Sequence, residues 1–384
     1  MQQQDNRLTP TIDTITKIYL TKEKSIEKIN EAFKELKRLG AINILDYNNF
    51  LSISKGSNID VQKYIENGMA KFKNNFIPKD ELNNLIKNKY LYPARYNDIN
   101  AITRYFKVEF IEDKEILEVN DWEKKISNIN ADGVVYLILD TGDISKTTLN
   151  SKLNEIFEPR VVFVKINKKY NINKTLLKIK TINLLLDYAT EEEKREIKEE
   201  LSVYYDDCMK IINDFLNSYL RPELENATYI NQGKVKKIKR KSSVSQLLSD
   251  ICDEVFIYTP KINNELINKN NISSPLFNAR NKVLTALLQN EIKPNLGLSG
   301  SGPETNIMRS TLFAFGILNE NSTELNINNL KDNNIQIVID TIHKFFISSG
   351  EKGKNFAELY DKLTLPKYKI GLKLGVVPIY PWLP

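Results

Sequence analysis

Two apolar runs constrain this chain more than any other feature: GVVYLILD at 133–140 and RVVFVKI at 160–166. Between them, SKTTLNSKLNEIF reads as a helix. Strand, helix and strand at this spacing make a βαβ unit, because parallel neighbours need a crossover connection between them. A small mixed or parallel sheet is therefore expected. Asp140-Thr141-Gly142-Asp143 falls at the carboxyl end of its first strand, where open α/β sheets bind ligands. Carboxylates at that place can hold Mg²⁺, which makes Asp140 and Asp143 candidate metal ligands, with Lys146 and Glu155 as further groups for a nuclease-like site. Asp and Gly are equally what a turn requires.

With 384 residues, the chain has room for roughly two or three domains. Its 41% hydrophobic content supports real cores, and its 27% charged content is ordinary for a globular protein. A net charge of +6 is compatible with a nucleic-acid partner without requiring one. Only Cys208 and Cys252 occur, so neither a disulfide framework nor a thiolate zinc site is expected. The lone histidine, His343, removes most histidine-based metal and acid–base arrangements. The first residues lack the apolar core of a signal peptide, and no window approaches the ~18 uninterrupted apolar residues of a membrane span. A reducing, cytoplasmic setting without membrane contact is the expectation.

Upstream, Ile26, Ile29, Phe33, Leu36 and Leu39 recur at helical spacing, and Gly40 sits where a helix C′ glycine belongs. AINILDYNNFLSIS then reads as two short strands around a DYNN turn. Helix, turn and ribbon, with Lys37, Arg38 and Lys55, suggest an N-terminal winged helix or a plain packing module. A second helical part follows, broken at Ile77–Pro78. Arg104 to Ile111 alternates Tyr105, Lys107 and Glu109 with Phe106, Val108 and Phe110, the pattern of a half-buried strand.

A long helical region covers 181–220, with Thr190 and Glu193 forming a capping box and Glu191–Glu200 a solvated charge run. The only basic block follows: Lys234, Lys236, Lys237, Lys239, Arg240 and Lys241 in GKVKKIKRKSS, on a β-ribbon or exposed loop. Six positive charges in so short a stretch would attract phosphates, each neutralised phosphate releasing counterions. A solvated loop without a partner is the alternative, since no aromatics are interleaved to stack bases.

Ser243 to Leu318 is the densest apolar helical stretch. Ser245 is expected to cap a helix over QLLSDICDEVF, and Ala279, Val283, Ala286 and Leu287 mark a core-facing stripe beside Arg280. Gly300-Ser301-Gly302 precedes Pro303-Glu304 and a helix. Such a loop can offer backbone N–H groups to an anion, yet it matches neither nucleotide-loop pattern, and helix-start geometry explains it. Arg280 and Glu304 are expected to help join the helices here. Beyond the apolar helix NIQIVIDTIHKFFISSG, a short helix leads to a Pro- and Gly-punctuated end. Its apolar run at Pro384 leads us to expect that the chain is part of something longer.

Four segments together resemble the region beyond the nucleotide-binding domain of large bacterial P-loop ATPases of phage defence, the BREX type. They are YPARYNDINAITRYFKVEF, TPKINNELIN with the following ARNKVL, GSGPETNIMRSTL, and ELYDKLTLPKYKIGLKLGVVPIY. Tyr96, Asn97, Arg104, Asn264, Glu265, Arg280, Gly300, Gly302 and Glu304 are the structural or family-motif positions within them. The resemblance implies an ATPase-associated accessory region that senses or remodels nucleic acid, partnered by an ATPase domain or another defence-complex protein. No Walker motif is present, so ATP binding and hydrolysis do not carry over, and ATP enters only if a P-loop domain lies elsewhere.

The expected fold is α+β and mostly helical. It divides into a winged-helix and helical domain at 1–90, a small α/β (βαβ) domain at 91–180, and a helical domain at 181–384 ending in a second winged helix. Three functions compete: a non-catalytic regulatory and interaction region of defence-ATPase descent, a stand-alone sequence-independent DNA- or RNA-binding module, and a Mg²⁺-dependent enzyme near Asp140 and Asp143.

Overall fold

A computed structural model describes residues 9–20, 25–53, 61–188, 191–328, 330–350 and 353–383. Lys55 and the Thr190–Glu193 capping box lie outside the described residues or side chains. The chain is α+β, built on one six-stranded mixed sheet and one two-stranded ribbon.

The ribbon is β1 (Ile42–Ile44) against β2 (Leu51–Ile53), antiparallel, as the DYNN turn requires. It follows the helix Ile26–Arg38, which Ser25 caps by accepting from Lys28 N. Asp207 fixes the turn by accepting from the Asp46 backbone N–H at 2.7 Å. The next helix, Val61–Phe72, buries Val61 and Ile65 with Ile182, Leu201 and Tyr204 of two long helices, Asn173–Tyr188 and Glu191–Leu220. A helix and a wing-like ribbon are thus present at the N-terminus, and the winged-helix assignment goes no further than that pair.

The large sheet runs β3 (Tyr90–Leu91), β4 (Phe106–Glu112), β5 (Gly133–Leu139), β6 (Val161–Ile166), β7 (Ala227–Asn231) and β8 (Lys234–Lys236) in spatial as in chain order. β4, β5 and β6 are parallel, and the other neighbours pair antiparallel. β5 reads as a continuous apolar run because both its faces are covered, as in a buried parallel strand. On one face, Phe106, Val108, Phe110, Val135, Leu137, Val162 and Val164 meet the helices Pro78–Leu85, Asn173–Tyr188, Glu191–Leu220 and Lys241–Val255. Phe110 stacks 6.0 Å from Phe215 there. On the other face, Val134, Tyr136, Ile138, Val161 and Phe163 meet the helices Asp113–Glu118, Trp122–Ile126 and Lys146–Asn154. Trp122 lies edge-on to Phe163 at 5.1 Å.

A separate apolar core gathers the helices Ser274–Leu287, Pro303–Met308, Asn333–Ile347 and Phe356–Thr364 with the 3₁₀ segment Val377–Trp382. Ala279, Val283 and Leu287 are buried in it, and Ala286 packs at its margin. No helix among the described residues is long and apolar enough to cross a membrane.

Three expectations need correction. The division at 180 cuts through one packing unit: β7 and β8 extend the same sheet, and Val244–Phe256 share the core of Val108 and Leu137. β7 has no strand signal in the sequence, because Ala-Thr-Tyr-Ile-Asn is short and carries no clear alternation. The helix expected to start at Ser245 begins at Lys241; the Ser245 hydroxyl instead donates to Tyr92 O at 2.8 Å and accepts from Ala94 N at 3.0 Å. The second winged helix is not formed, because the described residues after Thr364 contain no strand. Pro366, Pro378 and Pro381, which cannot donate to a ladder, sit in 3₁₀ turns there.

Candidate functional site

The carboxyl ends of β4, β5 and β6 open onto a cleft of about 350 Å³. Three connections leave the sheet at this end: β4 into Asp113–Glu118, β5 through the Asp140–Asp143 turn into Lys146–Asn154, and β6 through Asn167–Ile172 into Asn173–Tyr188. Asp113 is buried and organises the rim. Its Oδ1 accepts from Thr141 Oγ1 at 2.7 Å, and its Oδ2 accepts from Thr141 N at 3.3 Å. Asp140 Oδ1 accepts from Gly142 N at 2.9 Å, so this carboxylate serves the turn, and Asp143 is exposed. Glu155 caps the far end of the helix Lys146–Asn154, away from Asp140. Among the described residues, no group of three or more His, Cys, Asp or Glu side chains is placed to hold a metal ion.

Four lysines, Lys146, Lys165, Lys168 and Lys169, share the rest of the cleft wall with apolar side chains such as Ile138, Leu149 and Phe215. Lys165 Nζ donates to Asn150 Oδ1 at 2.8 Å, and Lys169 Nζ stands 3.8 Å from Asp140 Oδ2. Burial, and then the charge of Lys146, hold the Lys165 ammonium below its ordinary value.

The basic block forms the free edge of the sheet and the turn that leaves it. Lys234 and Lys236 lie on β8, Lys237 and Lys239 follow, Arg240 is the helix N-cap residue, and Lys241 opens the helix. Lys236 is half-buried and the other five are exposed. None of the six makes an ion pair among the described residues. The run climbs toward the lysine-lined cleft: Lys236 pairs with Tyr229, which pairs with Val164, the residue before Lys165. Lys241 N then donates at 3.0 Å to Glu223, in the turn leading into β7.

Of the remaining positions singled out, Tyr96, Asn97 and Arg104 converge. Asn97 clamps the Arg104 backbone from both sides, its Nδ2 donating to Arg104 O at 2.9 Å and its Oδ1 accepting from Arg104 N at 3.0 Å. The Arg104 guanidinium, 1% exposed, lies over the Phe256 ring at 3.4 Å and beside Tyr96 at 5.6 Å. It donates to Asp132 Oδ1 at 2.7 Å, to Thr259 Oγ1 at 3.1 Å and to Gly371 O at 2.8 Å. Lys373, also buried, donates to both oxygens of Asp132. Two cations and one carboxylate thus lie where the amino end of the parallel strands meets the C-terminal core, bordering a second cleft of about 640 Å³. Asp132, Thr259, Gly371 and Lys373 were missed, because isolated residues of these types look like surface or turn positions in sequence.

Asn264, Glu265, Arg280, Gly300, Gly302 and Glu304 are not gathered into one site. Asn264 donates to Ser310 Oγ at 3.1 Å, and Glu265 is exposed. Arg280 is buried over Phe277 and donates to the Leu374 and Gly375 carbonyls at 3.4 and 3.3 Å. Glu304 pairs with Lys282 at 3.2 Å, so the ion pair between the helices Ser274–Leu287 and Pro303–Met308, which share one apolar core, uses Lys282, while Arg280 reaches the C-terminal loop. Gly300 is exposed with φ +85°, and Gly302 is the N-cap residue of the six-residue helix Pro303–Met308. Comparison with known proteins finds no matching family model, no similar characterised sequence and no similar solved structure.

Proposed function

We propose that this chain is a non-catalytic interaction region that holds the phosphate backbone of nucleic acid along the ribbon Lys234–Lys241, as part of a defence-associated ATPase system. The ATPase partnership rests on the segment resemblance alone. What carries the nucleic-acid part is one observation: six cations follow one another from the edge strand β8 into the start of the next helix, five of them exposed and none with its side chain in an ion pair among the described residues. Contact through phosphates requires no base readout, so binding is sequence-independent and falls with salt as counterions are released. Lysines on an edge strand also discourage unwanted strand pairing, and that is the competing use of the same residues.

The test is the salt dependence of binding to a duplex. Replacing Lys236, Lys237, Lys239 and Arg240 together with Gln should flatten the slope of log affinity against log salt by up to about 0.9 per lost contact. Exposed substitutions such as those at Lys237, Lys239 and Arg240 shift stability by under ~0.5 kcal/mol each, so the variant should stay folded. An unchanged slope, or no binding by the parent at ~50 mM salt, would leave the block with its edge-guarding role only.

A further inference from the structure

The cleft beyond β4, β5 and β6 holds cationic groups that its own carboxylates do not use. Glu112 pairs with Lys114 at 2.9 Å, Asp113 is committed to Thr141, and Asp140 is shared between Gly142 N and the distant Lys169. Lys146 makes no ion pair among the described residues, Lys165 has the neutral Asn150 as partner, and Lys168 lies over the Tyr170 ring at 5.3 Å. The charge of Lys146 opposes the Lys165 ammonium more strongly than the carboxylate of Asp140 supports it. The nine-residue helix Lys146–Asn154 also begins here, so its positive end adds to the same field. The ligand chemistry that complements these lysines and this helix start is an anion.

Its source follows from the position of the ribbon. Pairing puts Lys236 at the level of Val164, and the strand spacing sets the β8 edge roughly 10 Å from β6, whose end carries Lys165. A nucleic-acid backbone lying on the ribbon would therefore arrive at the cleft. An internal phosphodiester has one charge and chain on both sides. A terminal phosphate carries up to about two charges and chain on one side only, which suits a recess walled by the sheet ends and by Phe215 and Tyr219. We propose that this cleft binds a phosphomonoester, the terminal phosphate of a nucleic-acid strand whose backbone follows the ribbon. This deepens the function proposed above and rests on it.

The experiment measures anisotropy of a short oligothymidylate carrying a 5′-phosphate, a 3′-phosphate or hydroxyls at both ends, with thymidine monophosphate as competitor. The wild-type chain should bind one phosphorylated form about tenfold more tightly than the hydroxyl form, as added charge-assisted contacts would give. K146Q/K165Q should abolish that preference while retaining binding of the hydroxyl form and its salt slope. K168Q/K169Q, altered in a loop, should reduce the preference too, and decides the matter if the first variant fails to fold. The ribbon variant should weaken all oligonucleotides yet keep the preference. Equal binding of all three by wild-type protein would overturn the cleft assignment and leave the ribbon reading intact. Thymidine monophosphate binding as tightly as the phosphorylated strand would overturn the strand end as the source. Absence of any oligonucleotide binding would overturn both.

Discussion

The Lys373 ammonium lies 2.8 Å from Asp132 Oδ1 and 2.9 Å from its Oδ2, joining residues 241 positions apart across the boundary between the sheet and the C-terminal core. Arg104 approaches the same carboxylate at 2.7 Å, so one anion serves two buried cations. Removing charges from water is costly, and such a cluster survives only where hydrogen bonds and opposite charge offset that cost. Its partners here include Tyr105 N on Asp132 Oδ2 at 3.1 Å and the Gly371 carbonyl on Arg104.

Asp132→Ala should therefore cost about 3–5 kcal/mol in urea unfolding, because it strands both cations. Lys373→Met should cost less, since Arg104 still faces the carboxylate. Burial alone would raise the Asp132 carboxyl, but Lys373 and Arg104 outweigh it and hold it below the usual carboxylate range. A carboxyl lowered on folding contributes stability that is complete above its unfolded value of about 3.9 and is lost as pH falls through the folded value. The stability gap between wild type and Asp132→Asn should stay level from neutrality to about pH 5 and narrow below about pH 4. A gap that widens in acid would contradict this account.

Gly371 should not tolerate a side chain. Its φ is +62°, and an added Cβ would collide with the Phe256 ring and come 2.9 Å from Arg104 Nη2. Left-handed strain and overpacking together should lower stability by about 2–4 kcal/mol in Gly371→Ala. A melting temperature within about 1 °C of wild type would show that the loop moves aside at little cost.

Arg280 and Glu304 should behave as independent sites. Arg280 spends its donors on the Leu374 and Gly375 carbonyls, whereas Glu304 meets Lys282, whose side chain is 61% exposed. A double-mutant cycle of Arg280→Ala with Glu304→Ala should add within about 0.5 kcal/mol. Lys282→Ala with Glu304→Ala should couple by no more than ~1 kcal/mol, as exposed pairs do. Coupling above about 1 kcal/mol between Arg280 and Glu304 would mean that their surroundings are linked.

Local signals determined the parts of this molecule that local forces build. The runs at 133–140 and 160–166 are long, apolar and separated by one helix, so the parallel pair could be read directly, as could the alternation of Phe106, Val108 and Phe110. The basic block was legible because six charges stand within one short stretch. β7 was not, since its five residues hold no period and become a strand only when β6 offers an edge, and β8 could be read only as a ribbon or a loop. Asn97 and Arg104 stand in a segment whose strand pattern is local, and that much is readable in the sequence. That Arg104 is buried, and that Asp132 and Lys373 complete its charge cluster, was decided by the packing of the C-terminal loop on the sheet. A single Asp or Lys carries the same letter whether it faces water or a buried partner, and only the tertiary structure removes the water.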